Sequence, residues 1–287
     1  MIWREAVRLP SFLKKHFTTA VKCGIIIKVF VVKDNVMNAP YSILAAFYDR
    51  LGTHPDYDAY ADFVLKTTKE KGAYCDGIML DLACGTGVLT LALLNKGADV
   101  VAVDGSPEML GEAGDRLFDA GKHALLLNQD MRELDLYGSI DSVVCATDSL
   151  NYLTKTEDLA KTLSLVHNYL IPDGIFIFDV NTGKKFKEVY GNESYVFDDG
   201  DVFCTWQNDF NPKSGICDFL LTFFCREKNG LWQRYEESQR EKYYSTAVLK
   251  KLLTAEGFEI LGVYSDFEGT PATEEDLRHY YVCKNIK

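Results

Sequence analysis

A glycine turn between two apolar segments contains the residues of this chain that are best suited to chemistry. The segment Leu80–Gly87 reads Leu-Asp-Leu-Ala-Cys-Gly-Thr-Gly, and it joins a predicted strand, Gly77–Leu82, to a predicted helix, Thr86–Asn95. Glycine lets the backbone approach a bound molecule without a Cβ in the way, and the first turn of the helix offers free N–H groups. Because ligands of doubly wound sheets bind beyond the carboxyl ends of the strands, this turn predicts a ligand site.

The residues around the turn favour a ligand that contains adenosine over a nicotinamide dinucleotide. The dinucleotide fingerprint G-x-G-x-x-G requires a third glycine, but Thr90 stands at that position. The second predicted strand, Asp99–Val103, is followed by Asp104, whose carboxylate can accept hydrogen bonds from both hydroxyl groups of a ribose. Asp81 lies between two leucines, where a carboxylate is costly to bury unless it is hydrogen-bonded. Both carboxylates are therefore candidate ligand contacts.

Helices and strands alternate from the glycine turn onward. Two predicted helices, 43–50 and 58–69, come before the first strand. The predicted strands are 77–82, 99–103, 124–128, 140–146 and 175–180. One intervening helix is capped by Ser106, and another opens with the capping-box pattern Thr154–Glu157 and ends at the turn Pro172–Gly174. The alternation predicts an α/β fold with a doubly wound, mostly parallel sheet that carries helices on both faces.

The pattern changes to β-rich segments after Gly191. Turn signals at Asn211–Gly215 and Lys228–Gly230 separate these segments, which predicts an inserted antiparallel β subdomain. One helix and two strands follow, at 246–256, 258–264 and 279–283. The predicted organisation is, in chain order, a basic extension over 1–36, a ligand-binding core with N-terminal helices over 37–190, the insertion over 191–244, and the elements that complete the core over 245–287.

Composition and charge restrict the class of partner. The chain has 287 residues, 47% of them hydrophobic, which suffices for a sizeable core, and its formal net charge is −11. This acidic balance disfavours a nucleic-acid backbone as the main partner. The first 36 residues are different, since they carry seven Lys or Arg against two acidic residues. A predicted domain begins just after Met37, so we expect residues 1–36 to be a loosely attached extension or to precede the functional start.

Metal sites, membrane segments and disulfides have little support in the sequence. The eight cysteines include no CxxC pair, and the five histidines include no HxxxH or HExxH pair. The apolar run Gly24–Val32 is too short to span a membrane and lacks a small-residue cleavage pattern. We therefore expect a cytoplasmic protein with reduced thiols, no metal and no membrane contact.

The motifs together resemble those of class I S-adenosylmethionine-dependent methyltransferases, over roughly Ser42–Lys284. The resemblance is carried by Asp-Leu-Ala-Cys-Gly-Thr-Gly, by Asp104 after the second strand, by Gln129-Asp130-Met131 after the third, and by Asp148–Tyr152 after the fourth. The chain looks most like small bacterial members with an aromatic-rich antiparallel insertion before the penultimate helix. The resemblance implies the Rossmann-like methyltransferase fold, with seven strands in the order 3-2-1-4-5-7-6 and the last strand antiparallel.

The resemblance also implies roles for individual residues. In such enzymes the glycine turn lies against the methionine end of the cofactor S-adenosyl-L-methionine, the acid after the second strand binds the ribose, and the segment after the third strand contacts the adenine. The implied cofactor contacts are Tyr48, Asp81, Ala83, Gly85, Gly87, Asp104, Asp130 and Met131. The implied catalytic residues are Asp148 and Tyr152, and Asn151 of the same segment is a candidate substrate contact. Among the aromatic residues of the insertion, most of which we expect in the core of a small sheet, Trp206 is a further candidate substrate contact.

These observations predict transfer of a methyl group to an N, O or S atom of a small-molecule acceptor by in-line displacement. Asn-Pro-Pro-Tyr, which serves amide and adenine amino groups, is absent, and so is the Pro-Cys or Thr-Cys nucleophile of cytosine C5 enzymes. Three alternatives stay open: an RNA methyltransferase that uses the basic extension, a cofactor-binding module without catalysis, and an NAD-dependent oxidoreductase, which Thr90 disfavours.

Overall fold

The structure is a computed structural model that describes Tyr41 and residues 43–51, 54–71 and 77–287. The predicted extension 1–36 and the hypothetical start at Met37 lie outside the described residues. Among the described helices, none is both long enough and apolar enough to cross a membrane.

A seven-stranded sheet forms the centre of the fold. Its strands are β1 Ile78–Leu82, β2 Asp99–Asp104, β3 Leu125–Asn128, β4 Ile140–Cys145, β5 Leu170–Asn181, β10 Phe258–Tyr264 and β11 Arg278–Asn285. They lie in the order β10-β11-β5-β4-β1-β2-β3, and β11 is antiparallel to both of its neighbours. The predicted fold and strand order are confirmed. The order reverses beside β1, so the glycine turn after β1 lies at the switch point of the sheet.

Helices cover both faces of this sheet. They are α2 Tyr57–Lys71, α3 Val88–Asn95, α4 Pro107–Asp119, α5 Thr156–Tyr169 and α6 Thr246–Ala255. A shorter helix, α1 Tyr48–Leu51, packs instead against the inserted β-strands through Leu51. Successive residues of a strand point to opposite faces, so Val143 joins the apolar core beneath α5 and α6 whereas Val144 joins the core beneath α2 and α3. The predicted cap of α4 is present, because Ser106 Oγ accepts a hydrogen bond of 3.1 Å from the Met109 N–H.

Several predicted boundaries are wrong, and three of them have a clear local cause. The helix predicted over 43–50 is a 3₁₀ helix, Leu44–Phe47, followed by α1. α3 begins at Val88 because Gly87 takes a left-handed conformation, with φ of 74°. The N-cap of α5 is Lys155, whose side chain makes no capping bond, so the expected capping box does not form. β5 already begins at Leu170, so the turn expected at Pro172–Gly174 lies within the strand, where Asp173 has a φ of 60°.

A second sheet of four antiparallel strands follows β5, as predicted. Its strands, in spatial order, are β6 Ser194–Asp198, β7 Val202–Asn211, β8 Ile216–Arg226 and β9 Trp232–Lys242. Its inner face packs on the N-terminal segment of the described chain, where Leu44 and Leu51 contact a core that includes Phe219 and Phe223. The inserted sheet and this segment therefore form one apolar unit beside the larger sheet.

Candidate active site

A cavity of about 540 Å³ lies at the carboxyl ends of β1, β2 and β4. We call it the cofactor cavity. Its wall combines the turn after β1, the residues after β2, β3 and β4, and two tyrosines from the N-terminal segment. The predicted site residues on this wall are Tyr48, Asp81, Ala83, Gly85, Asp104, Asp130, Met131 and Tyr152.

The two glycines of the turn have different functions. Gly85 has a φ of 55°, and a Cβ built on it meets no atom within 4 Å, so its open side is the cavity. Gly87 is absent from the cavity wall, which departs from its expected place against the cofactor. It has a φ of 74°, and a Cβ there would lie 2.9 Å from the Cβ of Ala113 in α4. Gly87 is thus required for the close packing of α3 on α4.

Asp104 ties the glycine turn to the end of β2. Its Oδ2 accepts a hydrogen bond of 2.8 Å from the Gly85 N–H, and its Oδ1 accepts one of 2.8 Å from the Ser106 N–H. Burial raises the pKa of Asp104 above its usual value, although these two N–H donors oppose the shift. A carboxylate has about four acceptor positions, so Asp104 can accept a further bond from a ligand in the cavity.

Asp81 is almost fully buried in β1 and is held by Thr90. Its Oδ2 accepts a hydrogen bond of 2.6 Å from the Thr90 hydroxyl. Burial raises the pKa of Asp81 to about 7, and the Thr90 bond limits this rise. Thr90 therefore has a specific function at the position where a dinucleotide-binding turn would carry its third glycine, which the sequence pattern did not reveal.

Asp130 and Met131 close the far end of the cofactor cavity. Asp130 caps a short 3₁₀ helix, Met131–Glu133, and accepts hydrogen bonds of 2.8 Å from the Arg132 N–H and 2.9 Å from Arg132 Nε. The Arg132 side chain holds the pKa of Asp130 below its usual value. Asp130 is consequently an ionised acceptor with a fixed orientation.

The N-terminal segment, Tyr41 and residues 43–51, contributes Tyr41 and Tyr48 to the wall of the cofactor cavity, and we call it the lid segment. The buried Glu237 of β9 accepts hydrogen bonds from three of its backbone N–H groups: Tyr41 at 2.7 Å, Ile43 at 3.1 Å and Leu44 at 3.1 Å. At its other end, Asp49 accepts a hydrogen bond of 2.8 Å from the Thr86 hydroxyl of the glycine turn. The inserted sheet and the glycine turn together fix the lid segment.

A second cavity, of about 110 Å³, adjoins the first. We call it the acceptor cavity. Tyr48, Thr147 and Tyr152 line both cavities, so they form the boundary between them. Trp206 lies on the wall of the acceptor cavity, as its predicted substrate contact requires, and it packs edge-on against Phe219 with ring centroids 5.9 Å apart.

A strained turn after β4 shapes the acceptor cavity. Thr147 and Asp148 both have a φ of 53°, a left-handed conformation that costs of order 1–3 kcal/mol for each residue. The fully buried Asp179 of β5 holds this turn, because it accepts hydrogen bonds of 2.7 Å from the Thr147 N–H and 2.9 Å from the Asp148 N–H. Asp179 also accepts bonds from the hydroxyl of Tyr60, at 2.9 Å, and from Arg278.

Asp148 and Tyr152 both line the acceptor cavity, and each is held by another side chain, Asp148 by Arg278 and Tyr152 by Gln239. Burial alone would raise the pKa of Asp148, yet the neighbouring charges of Arg278 and Lys185 outweigh it and hold the pKa below its usual value. Burial raises the pKa of Tyr152, whose hydroxyl donates a hydrogen bond of 3.0 Å to Gln239 Oε1. The phenol thus stays protonated.

Asn151 occupies a different place from the one predicted for a substrate contact. It is fully buried and lines neither of the two cavities. Its Nδ2 donates a hydrogen bond of 2.8 Å to the Lys242 carbonyl, and its Oδ1 accepts one of 3.0 Å from the Asn181 N–H. Both ends of the amide are therefore occupied in joining the turn after β4 to β5 and β9.

Five residues that shape these cavities were not found by sequence reasoning: Asp179, Lys185, Glu237, Glu241 and Arg278. Only Asp179 carried a usable signal, since it lies in an apolar strand and is as costly to bury as Asp81. Glu237 and Glu241 alternate with outward residues on β9, where a polar residue is normally expected to face solvent.

Comparison with known proteins identifies the family. A model of a methyltransferase domain matches residues 79–174. The chain is 31% identical to YqeM of Bacillus subtilis (strain 168), which is named as a methyltransferase, over 86% of this chain and 98% of YqeM. It is also 34% identical to the glycine/sarcosine N-methyltransferase of Halorhodospira halochloris, over 78% of this chain and 81% of that protein.

A solved structure supports the same assignment. The S-adenosylmethionine-dependent methyltransferase from Clostridium acetobutylicum ATCC 824 superposes with a TM-score of 0.77 at 32% identity, and the match covers 86% of this chain and 99% of that chain. The chain therefore belongs to the S-adenosylmethionine-dependent methyltransferases. It is an enzyme whose cofactor is S-adenosylmethionine, as the sequence motifs predicted.

Proposed function

We propose that the protein transfers the methyl group of S-adenosylmethionine to a nitrogen atom of a small-molecule amine. The observation that carries this proposal is the meeting of the two cavities at Tyr48, Thr147 and Tyr152. The acceptor cavity, at about 110 Å³, is well below the roughly 300–1,000 Å³ of pockets for drug-sized ligands. A small acceptor fits this size better than a nucleotide of an RNA chain.

The cofactor cavity suits S-adenosylmethionine in the chemistry of its wall. In our proposal Asp104 accepts the ribose hydroxyls, the segment at Asp130 and Met131 contacts the adenine, and Asp81 takes the charge of the amino group. Gly85 supports this arrangement, since its open side would be filled by any larger side chain. Tyr48 closes the cavity from the lid segment.

When bound, the cofactor supplies a methyl group on a strongly electrophilic sulfonium. The acceptor nitrogen uses its lone pair to form the new N–C bond, the C–S bond breaks with its electron pair on sulfur, and the nitrogen then releases a proton. The task of the protein is to align the acceptor and exclude water, and no covalent enzyme intermediate is needed. The tyrosines at the boundary supply aromatic faces beside the positive charge.

Nitrogen is favoured as the acceptor atom by the relatives and by the cavity. Relatives include the glycine/sarcosine N-methyltransferase mentioned above and a dTDP-3-amino-3,4,6-trideoxy-alpha-D-glucopyranose N,N-dimethyltransferase of Streptomyces venezuelae. In the acceptor cavity, burial raises the pKa of Glu241 well above its usual value, which suits this carboxyl group to receive a proton from an amine.

The test is a methylation assay on matched acceptors. Purified protein is incubated with S-adenosylmethionine and with glycine, sarcosine or an amino-sugar nucleotide, and each amine is paired with the analogue that carries a hydroxyl or thiol instead. We expect S-adenosylhomocysteine and a methylated product from an amine only. Methylation of the hydroxyl or thiol analogue alone would overturn nitrogen as the acceptor atom, and tight cofactor binding without any product would favour a cofactor-binding module.

A further inference from the structure

The acceptor cavity contains two ionisable side chains, Lys185 and Glu241, that one amide group keeps apart. Asn181, at the end of β5, accepts a hydrogen bond of 2.8 Å from Lys185 Nζ through its Oδ1, and its Nδ2 donates one of 3.1 Å to Glu241 Oε2. Lys185 begins the short π-helix Lys185–Tyr190 after β5, and Glu241 lies on β9 of the inserted sheet. Both side chains line the cavity.

Lys185 and Glu241 each keep hydrogen-bonding capacity that the described residues do not use. Lys185 has three N–H donors, and among the described residues it makes one hydrogen bond, to Asn181, and no ion pair. Oε1 of Glu241 has no hydrogen-bond partner within the described part of the chain. Lys185 Nζ also lies 5.2 Å from the ring centroid of Tyr190, which fixes its position over an aromatic face.

The other charged groups of the cavity are already paired. Arg278 binds both Asp148 and Asp179, so its guanidinium is neutralised on two sides. This leaves Lys185 and Glu241 as the ionisable groups that face the cavity without an ion-pair partner among the described residues. Ionisable groups that are buried without such a partner are costly, and their presence in a cavity is typical of ligand binding.

We propose that the acceptor is a small amino acid, whose carboxylate binds Lys185 and whose amine donates a hydrogen bond to Glu241. This inference rests on the proposed N-methylation and names its substrate class. The carboxamide of Asn181 separates Lys185 from Glu241. The amine and the carboxylate of an amino acid are separated by a similarly short chain. The small volume of the cavity favours the same class of acceptor.

The protonation of Lys185 gives the proposal a pH signature. Burial and the charge of Arg278 lower its pKa to about 8, while Asp148, Glu241 and Asp179 oppose the shift. These groups come from the turn after β4, from β5, from β9 and from β11, and they are the charged groups that face Lys185. The affinity for a carboxylate is thus present below pH 8 and is lost as the pH rises through that value.

The experiment compares each amino acid with its own amide. Glycine, sarcosine, alanine and β-alanine are assayed beside glycinamide, sarcosinamide and the two corresponding amides, which keep the amine and lack the negative charge. We expect at least one acid to exceed its amide tenfold in kcat/KM, and Lys185→Met to remove that difference by raising the KM of the acid. The KM for S-adenosylmethionine stays within twofold. Lys187→Met, which changes an exposed lysine of the same π-helix, leaves all values unchanged.

Binding measurements separate the possible failures. The winning acid is titrated calorimetrically into protein saturated with S-adenosylhomocysteine, and Lys185→Gln serves as a second variant if Lys185→Met does not fold. The amino-acid proposal would be overturned if the amides matched or exceeded their acids in kcat/KM with the wild-type protein. It would also be overturned if both Lys185 variants kept the preference for the acid. In either case the proposed N-methylation would stand. Methylation of hydroxyl or thiol analogues alone would instead overturn the proposed function itself.

Discussion

The two cavities of this enzyme differ in how the chain builds them. The cofactor cavity is made mainly by residues that directly follow β1, β2, β3 and β4, with tyrosines from the N-terminal segment added, so most contributions are short local motifs. The acceptor cavity instead brings together Asp148, Lys185, Glu241 and Arg278 from four separate elements. The cofactor cavity is a property of the parallel sheet, whose switch point binds many different ligands. The acceptor cavity depends instead on how the inserted sheet packs beside the parallel sheet.

The largest expected effect concerns the buried carboxylate that shapes the acceptor cavity. Asp179→Ala leaves Arg278 without one of its partners and removes the acceptor for two N–H groups of a strained turn. We expect a loss of about 3–5 kcal/mol in the free energy of unfolding, measured by chemical denaturation. Asp179→Asn keeps the shape of the side chain but removes its charge, so we expect a smaller loss in the free energy of unfolding. A loss below about 1 kcal/mol for Asp179→Ala would contradict the role given to this residue.

The next effect concerns the cofactor cavity alone. Asp104→Ala removes the acceptor for the Gly85 N–H and the proposed ribose contact. The affinity for S-adenosylhomocysteine, measured by calorimetry, is expected to fall by about 1.5–3 kcal/mol. Asp99→Ala, at the exposed beginning of the same strand, is the matched control. Equal affinities for the two variants would remove Asp104 from the binding site.

The lid segment connects the two regions and therefore tests whether they are separable. Glu237 lies on the inserted sheet, and its carboxylate accepts hydrogen bonds from three backbone N–H groups of the lid segment. Glu237→Ala removes these bonds. We expect S-adenosylhomocysteine to bind more weakly by about 1 kcal/mol and to dissociate faster in stopped-flow measurements. Glu236→Ala changes the adjacent residue on the opposite face of β9 and should have no effect. If both variants behave like the wild type, the inserted sheet does not contribute to cofactor binding.

The smallest effect is a pH dependence. The pKa of Asp81 is raised to about 7 in the unliganded protein, and our proposal pairs its ionised form with the amino group of the cofactor. The affinity for S-adenosylhomocysteine should accordingly be full above pH 7 and fall as the pH decreases, by roughly tenfold between pH 8 and pH 6. Without ligand, the free energy of unfolding should fall as the pH rises from the pKa of Asp81 in the unfolded chain towards 7, because the folded state holds this proton more tightly.

A matched variant checks the origin of this pH dependence. Asp81→Asn keeps a hydrogen-bonding group beside Thr90 but cannot ionise, so its calorimetric affinity should be lower and nearly independent of pH over the same range. A pH profile of Asp81→Asn that matches the wild type would assign the dependence to another group.

The sequence was sufficient for the fold and for most of the cofactor cavity, because both depend on local signals. Alternating elements, a glycine turn and an acidic residue after β2 are visible without tertiary information. Gly87 shows the limit of this reasoning, since the Ala113 Cβ of α4, which leaves no room for a side chain there, is not visible in the local sequence. Asn151 shows the same limit, because its side-chain amide is hydrogen-bonded to backbone groups of β5 and β9.

The acceptor cavity could not be predicted in this way. Lys185 and Glu241 are distant in the chain, and nothing in their local sequence distinguishes them from solvent-exposed charges. Only the packing of the inserted sheet beside β5 brings them to opposite ends of the Asn181 amide. Residues of this kind need the tertiary structure to be found.

The most direct test of the central claim follows the methyl group itself. The protein is incubated with S-adenosylmethionine that carries a deuterated methyl group, together with the amino acids, their hydroxyl analogues and RNA, and the products are analysed by mass spectrometry. We predict the label on the nitrogen of a small amine, with loss of labelling in the Asp104→Ala variant. Label on RNA or on a hydroxyl analogue, with none on any amine, would contradict the account of the acceptor cavity.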